Sequence, residues 1–466
     1  MGAPHRSGCR AFAVTQILAS GAVFSYVSVC PPSATGWTSS VIVTEQKEKQ
    51  PLAITAIKGF NDILPGEVEK WQYIEATARR VFELYGFSEI RIPIMEKTEL
   101  FARSIGDTTD IVEKEMYSFV DKGENRVTLR PEGTASVMRA FVEHKLYAQD
   151  PVARLYYMGP MFRYERPQKG RYRQFHQIGA EVTGVTSPLV DAQVLTMLCH
   201  FFAELGLTEP RLEINSLGCP ECRPAYRAAL QEFLRARLNR LCDDCRRRIE
   251  TNPLRALDCK ATGCKEATLD APSVLDSLCT ACDDHFARTR SALELTGTGY
   301  VINPRMVRGL DYYTRTTFEL VTGLLGAQSA VAAGGRYDGL ISEIGGPAIP
   351  GIGFAMGVER VALLLAERDF SRRPDLFVAA LGDEARDAAF SLMSGLQRKG
   401  VSVEFDYEGK SLKSQLRRAD KCNARFTLII GGDELAAKSG TLKEMDAGIQ
   451  EPVALSIEAL CLRIRP

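Results

Sequence analysis

Five basic side chains crowd into eleven positions of this 466-residue chain: Arg163, Arg166, Lys169, Arg171 and Arg173. Glu165, Tyr172, Phe175 and His176 are interleaved with them, and Pro167 and Gly170 supply a turn. Cations held between two strands repel one another, so a solvated loop gains nothing from them. A hairpin that grips a nucleotide gains much: guanidinium groups fork onto phosphate oxygens while an aromatic face lies under the base. A second concentration is Thr128-Leu-Arg-Pro-Glu-Gly-Thr-Ala135. It reads as a strand-to-helix turn shaped by Pro131 and Gly133, on which Arg130 and Glu132 sit. Glu132 suits an ammonium group, and it suits equally a helix N-terminus. Two more segments combine arginine, acid and tyrosine: Arg308-Gly-Leu-Asp-Tyr-Tyr-Thr-Arg-Thr-Thr-Phe-Glu319 and Ala333-Gly-Gly-Arg-Tyr-Asp-Gly339. The last is Gly351-Ile-Gly-Phe-Ala-Met-Gly-Val-Glu-Arg-Val361. Its Gly353 and Gly357 permit close approach to a ligand. Arg360 falls in a helix's first turn, where a cation opposes the helix dipole. Polyphosphate binding is a reason to keep it there.

Of 13 cysteines, eight lie between Cys219 and Cys282 as Cys219/Cys222, Cys242/Cys245, Cys259/Cys264 and Cys279/Cys282. That is too dilute for a secreted disulfide scaffold. The spacing of the first two pairs suits a zinc ribbon, and eight thiolates are enough for one or two Zn²⁺. Reduced buried thiols or a few disulfides are the alternatives. His176 reads as structural, and His144, His200 and His285 have no partner legible in sequence.

These segments need a scaffold. Residues 67–85 have helical spacing, with Val68, Trp71, Ile74 and Val81 apolar and Gly86 placed as a C-terminal cap. Residues 87–95 read as a strand, which Pro93 demotes to an edge or interface position. Further strands are expected at 127–129, 153–158, 174–182 and 317–320. Few crossover helices separate them, so the sheet should be mostly antiparallel. Residues 374–466 differ: strands at 376–380, 401–405 and 426–430 alternate with helices at 384–399 and 411–419. That alternation predicts a parallel α/β domain. There Lys410, Lys413, Arg417, Lys421 and Arg425 recur every three or four residues, as one helical face would. Leu412 and Leu416 fall on another face.

Apolar residues make up 45% of the chain and charged ones 25%, which suits several globular domains rather than a disordered, collagen-like or coiled-coil chain. The 58 basic and 58 acidic residues cancel, so a generic DNA or membrane coat is not expected. Residues 1–50 stand apart. No acid occurs from Met1 to Thr44, and an uncharged stretch from Ala11 to Cys30 follows Arg10. Polar residues make it a poor membrane span. It reads as a non-core extension, either a start artefact preceding Leu52 or a transit or signal leader.

The ordered segments resemble the histidyl-tRNA synthetase family of class II aminoacyl-tRNA synthetases, over about residues 54–466. Residues 87–101 resemble the dimer-forming motif 1, 161–181 the ATP-binding motif 2, and 351–361 motif 3. The Arg308 and Ala333 segments resemble the two histidine-specific motifs. The resemblance implies an α+β fold: an antiparallel sheet flanked by helices, with an insertion domain and a C-terminal α/β anticodon-binding domain. The domains would be a catalytic core at 51–373, a cysteine-rich insertion within it at 218–298, and the anticodon domain at 374–466. The implied reaction activates L-histidine with ATP, Mg²⁺ bridging the phosphates, and transfers it to the 3′ end of tRNA(His). By the family pattern Arg163 and Arg308 hold the α-phosphate, Arg308 being the histidine-specific catalytic arginine. Glu165 takes the adenine amino group, Phe175 stacks on adenine, and Arg171 and Arg360 grip the β- and γ-phosphates. Glu132, Thr134, Gln177, Glu181, Arg308, Tyr312, Tyr313 and Tyr337 line the histidine pocket. A homodimer, no membrane and a cytoplasmic location are implied, or an organellar one if residues 1–50 are a transit peptide. Zinc is not general in the family, and the adenylation residues lie away from the cysteines. The rivals are a non-catalytic histidine-sensing subunit of ATP phosphoribosyltransferase, which generally lacks the anticodon domain, and a zinc-ribbon nucleic-acid module.

Overall fold

The computed structural model describes residues 13–17, 23–27, 54–106, 109, 111–307, 310, 312–325 and 330–465. The chain divides into two units, Met1–Ile57 and Lys58–Pro466. In the first, Ala13–Ile17 pairs antiparallel with Val23–Val27. Everything that follows concerns the second.

Its centre is an eight-stranded sheet. In chain order the strands are β1 (Ser88–Glu89), β2 (Arg154–Phe162), β3 (Gln174–Thr183), β4 (Arg211–Ser216), β5 (Val301–Ile302), β6 (Thr314–Val321), β7 (Ala330–Arg336) and β8 (Gly351–Gly357). They lie side by side as β5-β4-β6-β7-β8-β3-β2-β1. Only the two short edge strands pair in parallel; the inner pairings are antiparallel, as the missing crossovers foretold. Helix α1 (Val68–Leu84) covers one face because Trp71, Ile74, Ala78, Val81 and Phe82 form a single buried stripe. Phe82 meets Phe354 of β8 at 5.9 Å between ring centres, and Phe201 of helix α3 (Pro188–Glu204) at the same distance. Helix α2 (Thr134–Glu143) packs on the cluster that holds Tyr157, Tyr312, Tyr313 and Tyr337.

The strand expected over residues 87–95 is broken in two. Ser88–Glu89 joins the large sheet, and Met95–Lys97 joins a small one with Tyr117–Val120 and Arg126–Leu129. Pro93 lacks the N–H a continuous ladder needs. The carbonyls it strands are taken by buried Arg130, which donates to Ile92 O at 2.7 Å and Pro93 O at 3.2 Å. Arg130 is therefore a clamp of the scaffold.

Between β4 and β5 lie α4 (Arg223–Arg235), several short helices and α5 (Thr280–Leu295). Phe286, Ala292 and Leu293 of α5 belong to the main core, whereas the segment before it has a small core of its own around Leu230, Leu234 and Ile249.

The C-terminal region is more mixed than its sequence suggests. Strands β9 (Leu376–Ala380), β10 (Val403–Phe405) and β11 (Phe426–Ile430) are parallel, in the order β10-β9-β11, but β12 (Ser439–Glu444) and β13 (Gln450–Ala454) continue the sheet antiparallel. Leu442 and Val453 are the only buried hydrophobic side chains of those two strands, so they carry little apolar signal. The five-cation helical face also needs correction. Helix α6 spans Leu412–Lys421, so Lys410 precedes it and Arg425 follows it. Lys410 pairs with Glu408 at 2.7 Å and Arg425 with Asp375 at 3.3 Å. Of the five, Lys413, Arg417 and Lys421 are exposed on the helix itself, beside a further exposed cation, Arg418, which pairs with Glu404 at 3.6 Å. Gln415 and Ala419 are its buried side, Leu412 and Leu416 being only half-buried. Gln415 donates to Ala380 O at 2.9 Å and accepts from Ala380 N at 3.0 Å, latching α6 to β9.

Candidate active site

One cavity of about 530 Å³ opens beside β3, β6, β7 and β8. From motif 2 it is lined by Arg163, Glu165, Arg171, Phe175 and Gln177; from elsewhere by Glu132, Thr134, Tyr312, Tyr313 and Arg360. Glu181 and Tyr337 stand one layer behind and reach the cavity through Thr134. Arg308 lies outside the described residues.

The antiparallel β2–β3 pair carries the motif 2 loop, and Gly170 turns with φ +74° as its position requires. The Arg163 Nε donates to Pro131 O at 2.8 Å, which ties the loop to the turn before α2. Its guanidinium carbon is 5.3 Å from the centre of the Phe175 ring. Arg171 Nη1 lies 2.9 Å from Glu165 Oε2, and Arg163 Nη1 lies 3.9 Å from Glu165 Oε1. The helix Val358–Leu364 begins at β8 and presents Arg360 to the same space. Burial first, then the nearby Arg171 cation, pull the Arg360 pKa below its usual value. Neighbouring cations that repel each other suit a polyanion between them. His176 is a scaffold residue: its backbone N–H and ring both meet Glu359, and Trp71 packs edge-on against it at 5.0 Å.

The opposite end is buried. Glu132 is buried, and its two carboxylate oxygens accept from the backbone N–H of Thr134 at 2.7 Å and Ala135 at 2.8 Å. It is therefore a helix-terminus acceptor and a cavity wall together, and burial raises its pKa. Glu181 is 1% exposed; Thr134 Oγ1 donates to it at 2.7 Å and the Tyr337 hydroxyl at 2.5 Å. Burial pushes its pKa up to about 8. Tyr312 lies against Tyr313 and Tyr337, with ring centres 4.7 and 5.9 Å away. Gln177 Oε1 is buried without a hydrogen-bond partner among the described residues, which suits a donor brought by a ligand.

Gly353 acts differently from its sequence reading. A Cβ there would stand 1.7 Å from Glu181 Oε2, so the missing side chain makes room for that carboxylate rather than for a ligand directly. Gly351 does the same for Tyr337, whose ring would lie 2.2 Å from an added Cβ. Two residues escaped the sequence reading. Tyr157 is buried against positions where Gly133 and Gly179 lack a Cβ; those two glycines were the available signal. Glu319 of β6 also lines the cavity, and its segment was singled out without a role for the acid. The eight cysteines gather in two groups of four outside the cavity, although Asp258 and Lys260, on either side of Cys259, line it.

A family model described as histidyl-tRNA synthetase matches residues 59–361, and one described as anticodon binding domain matches 375–461. The chain belongs to the histidyl-tRNA synthetase family. It is 80% identical to the histidine–tRNA ligase of Geobacter sulfurreducens and 79% to that of Geobacter metallireducens, each match covering 88% of this chain and all of the relative. Among solved structures it is similar to the apo histidyl-tRNA synthetase of S. aureus, with a TM-score of 0.75 and 38% identity, over 89% of this chain and all of that one. The α+β class II fold with its C-terminal anticodon-binding domain is thereby shared with the family. No helix among the described residues is long and apolar enough to cross a membrane.

Proposed function

We infer that this chain is a histidine–tRNA ligase that forms histidyl-adenylate and passes it to tRNA(His) as a cytoplasmic homodimer. One observation carries the reading: a single cavity joins clustered arginines to a buried acid–tyrosine pocket. In the first step a carboxylate oxygen of histidine attacks the α-phosphorus of ATP. The bond to the bridging oxygen breaks and pyrophosphate leaves. Charge builds on phosphate oxygens, so fixed cations are the main catalytic need. Arg163 holds the α-phosphate, with Arg308 as its second cation by the family pattern. Arg171 and Arg360 hold the outer phosphates, Phe175 lies under adenine, and Glu165 takes its amino group. Glu132 and Thr134 receive the histidine ammonium. Glu181, behind Thr134 and Tyr337, with Gln177, Tyr312 and Tyr313, matches the imidazole. A pocket that leaves buried polar groups unpaired with other amino acids discriminates strongly. In the second step a ribose hydroxyl of the terminal adenosine attacks the adenylate carbonyl and AMP leaves.

Mg²⁺ neutralises phosphate charge when bound, and Glu319 offers the carboxylate oxygen such a hard cation takes. Residues 51–373 form the catalytic core, with a zinc-bearing insertion at 218–298, and 374–466 take the anticodon arm through exposed Lys413, Arg417 and Lys421. Exposed Ile94 and Met95 within motif 1, and exposed Phe119 and Val120 in the small sheet that Met95 joins, support the dimer. The histidine-sensor reading has less support, since the anticodon domain and Arg163 and Arg360 are all present.

The test is pyrophosphate exchange with each of the twenty amino acids. Exchange with histidine alone is expected; none with any amino acid would favour the sensor. Deleting 374–466 should keep exchange in the still dimeric protein and sharply weaken tRNA charging.

A further inference from the structure

We infer that the insertion holds two separate tetrathiolate Zn²⁺ centres, one nested inside the other in sequence, and that the inner centre fixes one wall of the ligand cavity. The outer set is Cys219, Cys222, Cys279 and Cys282; the inner set is Cys242, Cys245, Cys259 and Cys264. This partition differs from the zinc-ribbon spacing, which joins the first two cysteine pairs. Within each set the four sulfurs lie within 4.8 Å of one another. A Zn–S bond of about 2.3 Å in a tetrahedron sets sulfurs about 3.8 Å apart. Cys219 lies 3.6 Å from Cys222 and 3.9 Å from Cys279, and Cys242 lies 3.8 Å from Cys259. These separations are far beyond a disulfide bond. Each set also has a backbone N–H aimed at a sulfur: Cys279 N at Cys222 Sγ and Cys242 N at Cys264 Sγ, both 3.1 Å. Such donors favour thiolate.

The subdomain needs these staples. Its own core is small and counts Cys245 and Cys264 among its buried members. A core of that size is a poor sole support for a fold.

The inner centre meets the cavity twice. Asp258 and Lys260 flank the ligand Cys259, and both line the cavity, as does Arg255 one turn earlier. Cys264 O accepts from Thr268 Oγ1 at 2.9 Å, and Thr268 Oγ1 accepts from Arg305 at 3.0 Å. Arg305 lines the cavity too. The outer centre instead docks the subdomain on the sheet: Arg223, beside Cys222, donates to Tyr313 O, and Arg315 N donates to Gly218 O at 2.8 Å.

The metal assignment stands alone, and the wall assignment rests on reading the cavity as the ATP and histidine site. The experiment uses the full chain, reduced and never exposed to chelator. Two equivalents of zinc are expected, and Co²⁺ in their place should give tetrahedral thiolate spectra. Cys242→Ser with Cys259→Ser should lose one equivalent, and Cys219→Ser with Cys279→Ser the other. Fewer than two equivalents in the wild type, or loss of both metals from either variant, would overturn the two-centre assignment. Calorimetric affinity for ATP or histidine should fall about tenfold in the inner variant, and Cys259→His, which keeps a zinc ligand, should restore both metal and affinity. Thr268→Val should keep two zincs yet weaken the same affinity. An inner variant that loses one zinc at unchanged affinity, or Thr268→Val with unchanged affinity, would overturn the wall assignment. Wild type with two zincs but no histidine-dependent exchange would overturn the ligase reading and leave the metal centres standing.

Discussion

At the histidine end of the cavity each carboxylate oxygen of Glu132 and Glu181 already has a donor, and three tyrosine rings close around them. At the phosphate end Arg163 and Arg171 lean on Glu165, while burial and then the Arg171 cation lower the pKa of Arg360. The first end is built before ligand arrives; the second sets three guanidinium groups around Glu165 and so carries an excess of positive charge that a polyanion can take. Selectivity needs fixed, dry partners, because an unpaired buried group costs about 1–3 kcal/mol. Phosphoryl chemistry needs charge placed where charge will grow. The two ends should therefore fail differently when altered.

The largest separation is expected from Arg163→Ala. Losing one preorganised donor to transition-state charge should slow adenylate formation by about 10²–10³-fold, or roughly 2.7–4 kcal/mol. Histidine affinity should change little. Single-turnover adenylation alongside calorimetry measures both. Equal losses in both would erase the distinction between the ends.

Gly353→Ala strikes the other end. The new methyl would meet Glu181 Oε2 at 1.7 Å and the fixed Ala180 carbonyl at 2.5 Å. Overpacking of this kind costs about 1–3 kcal/mol. A lower melting midpoint and lost histidine binding are expected, with ATP binding kept. A variant that binds histidine normally would contradict the packing argument.

The sequence made the phosphate end legible and the histidine end much less so. Cations five to a hairpin, or an arginine in a helix's first turn, violate local preference, and that violation is visible without a fold. Glu181, Tyr337 and Tyr157 violate nothing locally; they meet only because β2, β3, β7 and β8 lie side by side, and the resemblance alone supplied the first two. The scaffold followed the same division. Helix α1 and strand β11 came from periodicity, whereas Pro93 broke a strand for which Arg130 had to compensate from 37 positions away. The cysteines show a third case: the spacing of the first two pairs suits a zinc ribbon, whereas the fold gathers Cys219 and Cys222 with Cys279, 60 residues on from the first, and with Cys282.

The pH dependence sharpens the contrast without touching the arginines. Glu181 has its pKa raised to about 8 by burial. Ionised Glu181 takes the Thr134 hydroxyl as a donor and so leaves Thr134 Oγ1 as an acceptor facing the cavity, and raising pH through that value populates this binding form. Histidine affinity in wild type relative to Glu181→Gln should rise about tenfold from pH 7 to pH 9, since the ionised fraction rises by that factor. ATP affinity should show no such relative step. Calorimetry across that range checks it, and a flat ratio would remove Glu181 from imidazole recognition.

The smallest effect is expected from Tyr337→Phe. Gly351 leaves the ring its space, so the phenylalanine should sit where the tyrosine did. What is lost is one hydroxyl donating to Glu181 at 2.5 Å. A net hydrogen bond contributes about 1 kcal/mol, so histidine affinity should fall roughly fivefold. That hydroxyl also lowers the Glu181 pKa. Without it the pKa climbs further, and the rise in histidine affinity should move to higher pH. A small loss with a displaced pH step is the signature of a tuned carboxylate. The same loss with the step unmoved would mean that Tyr337 only packs.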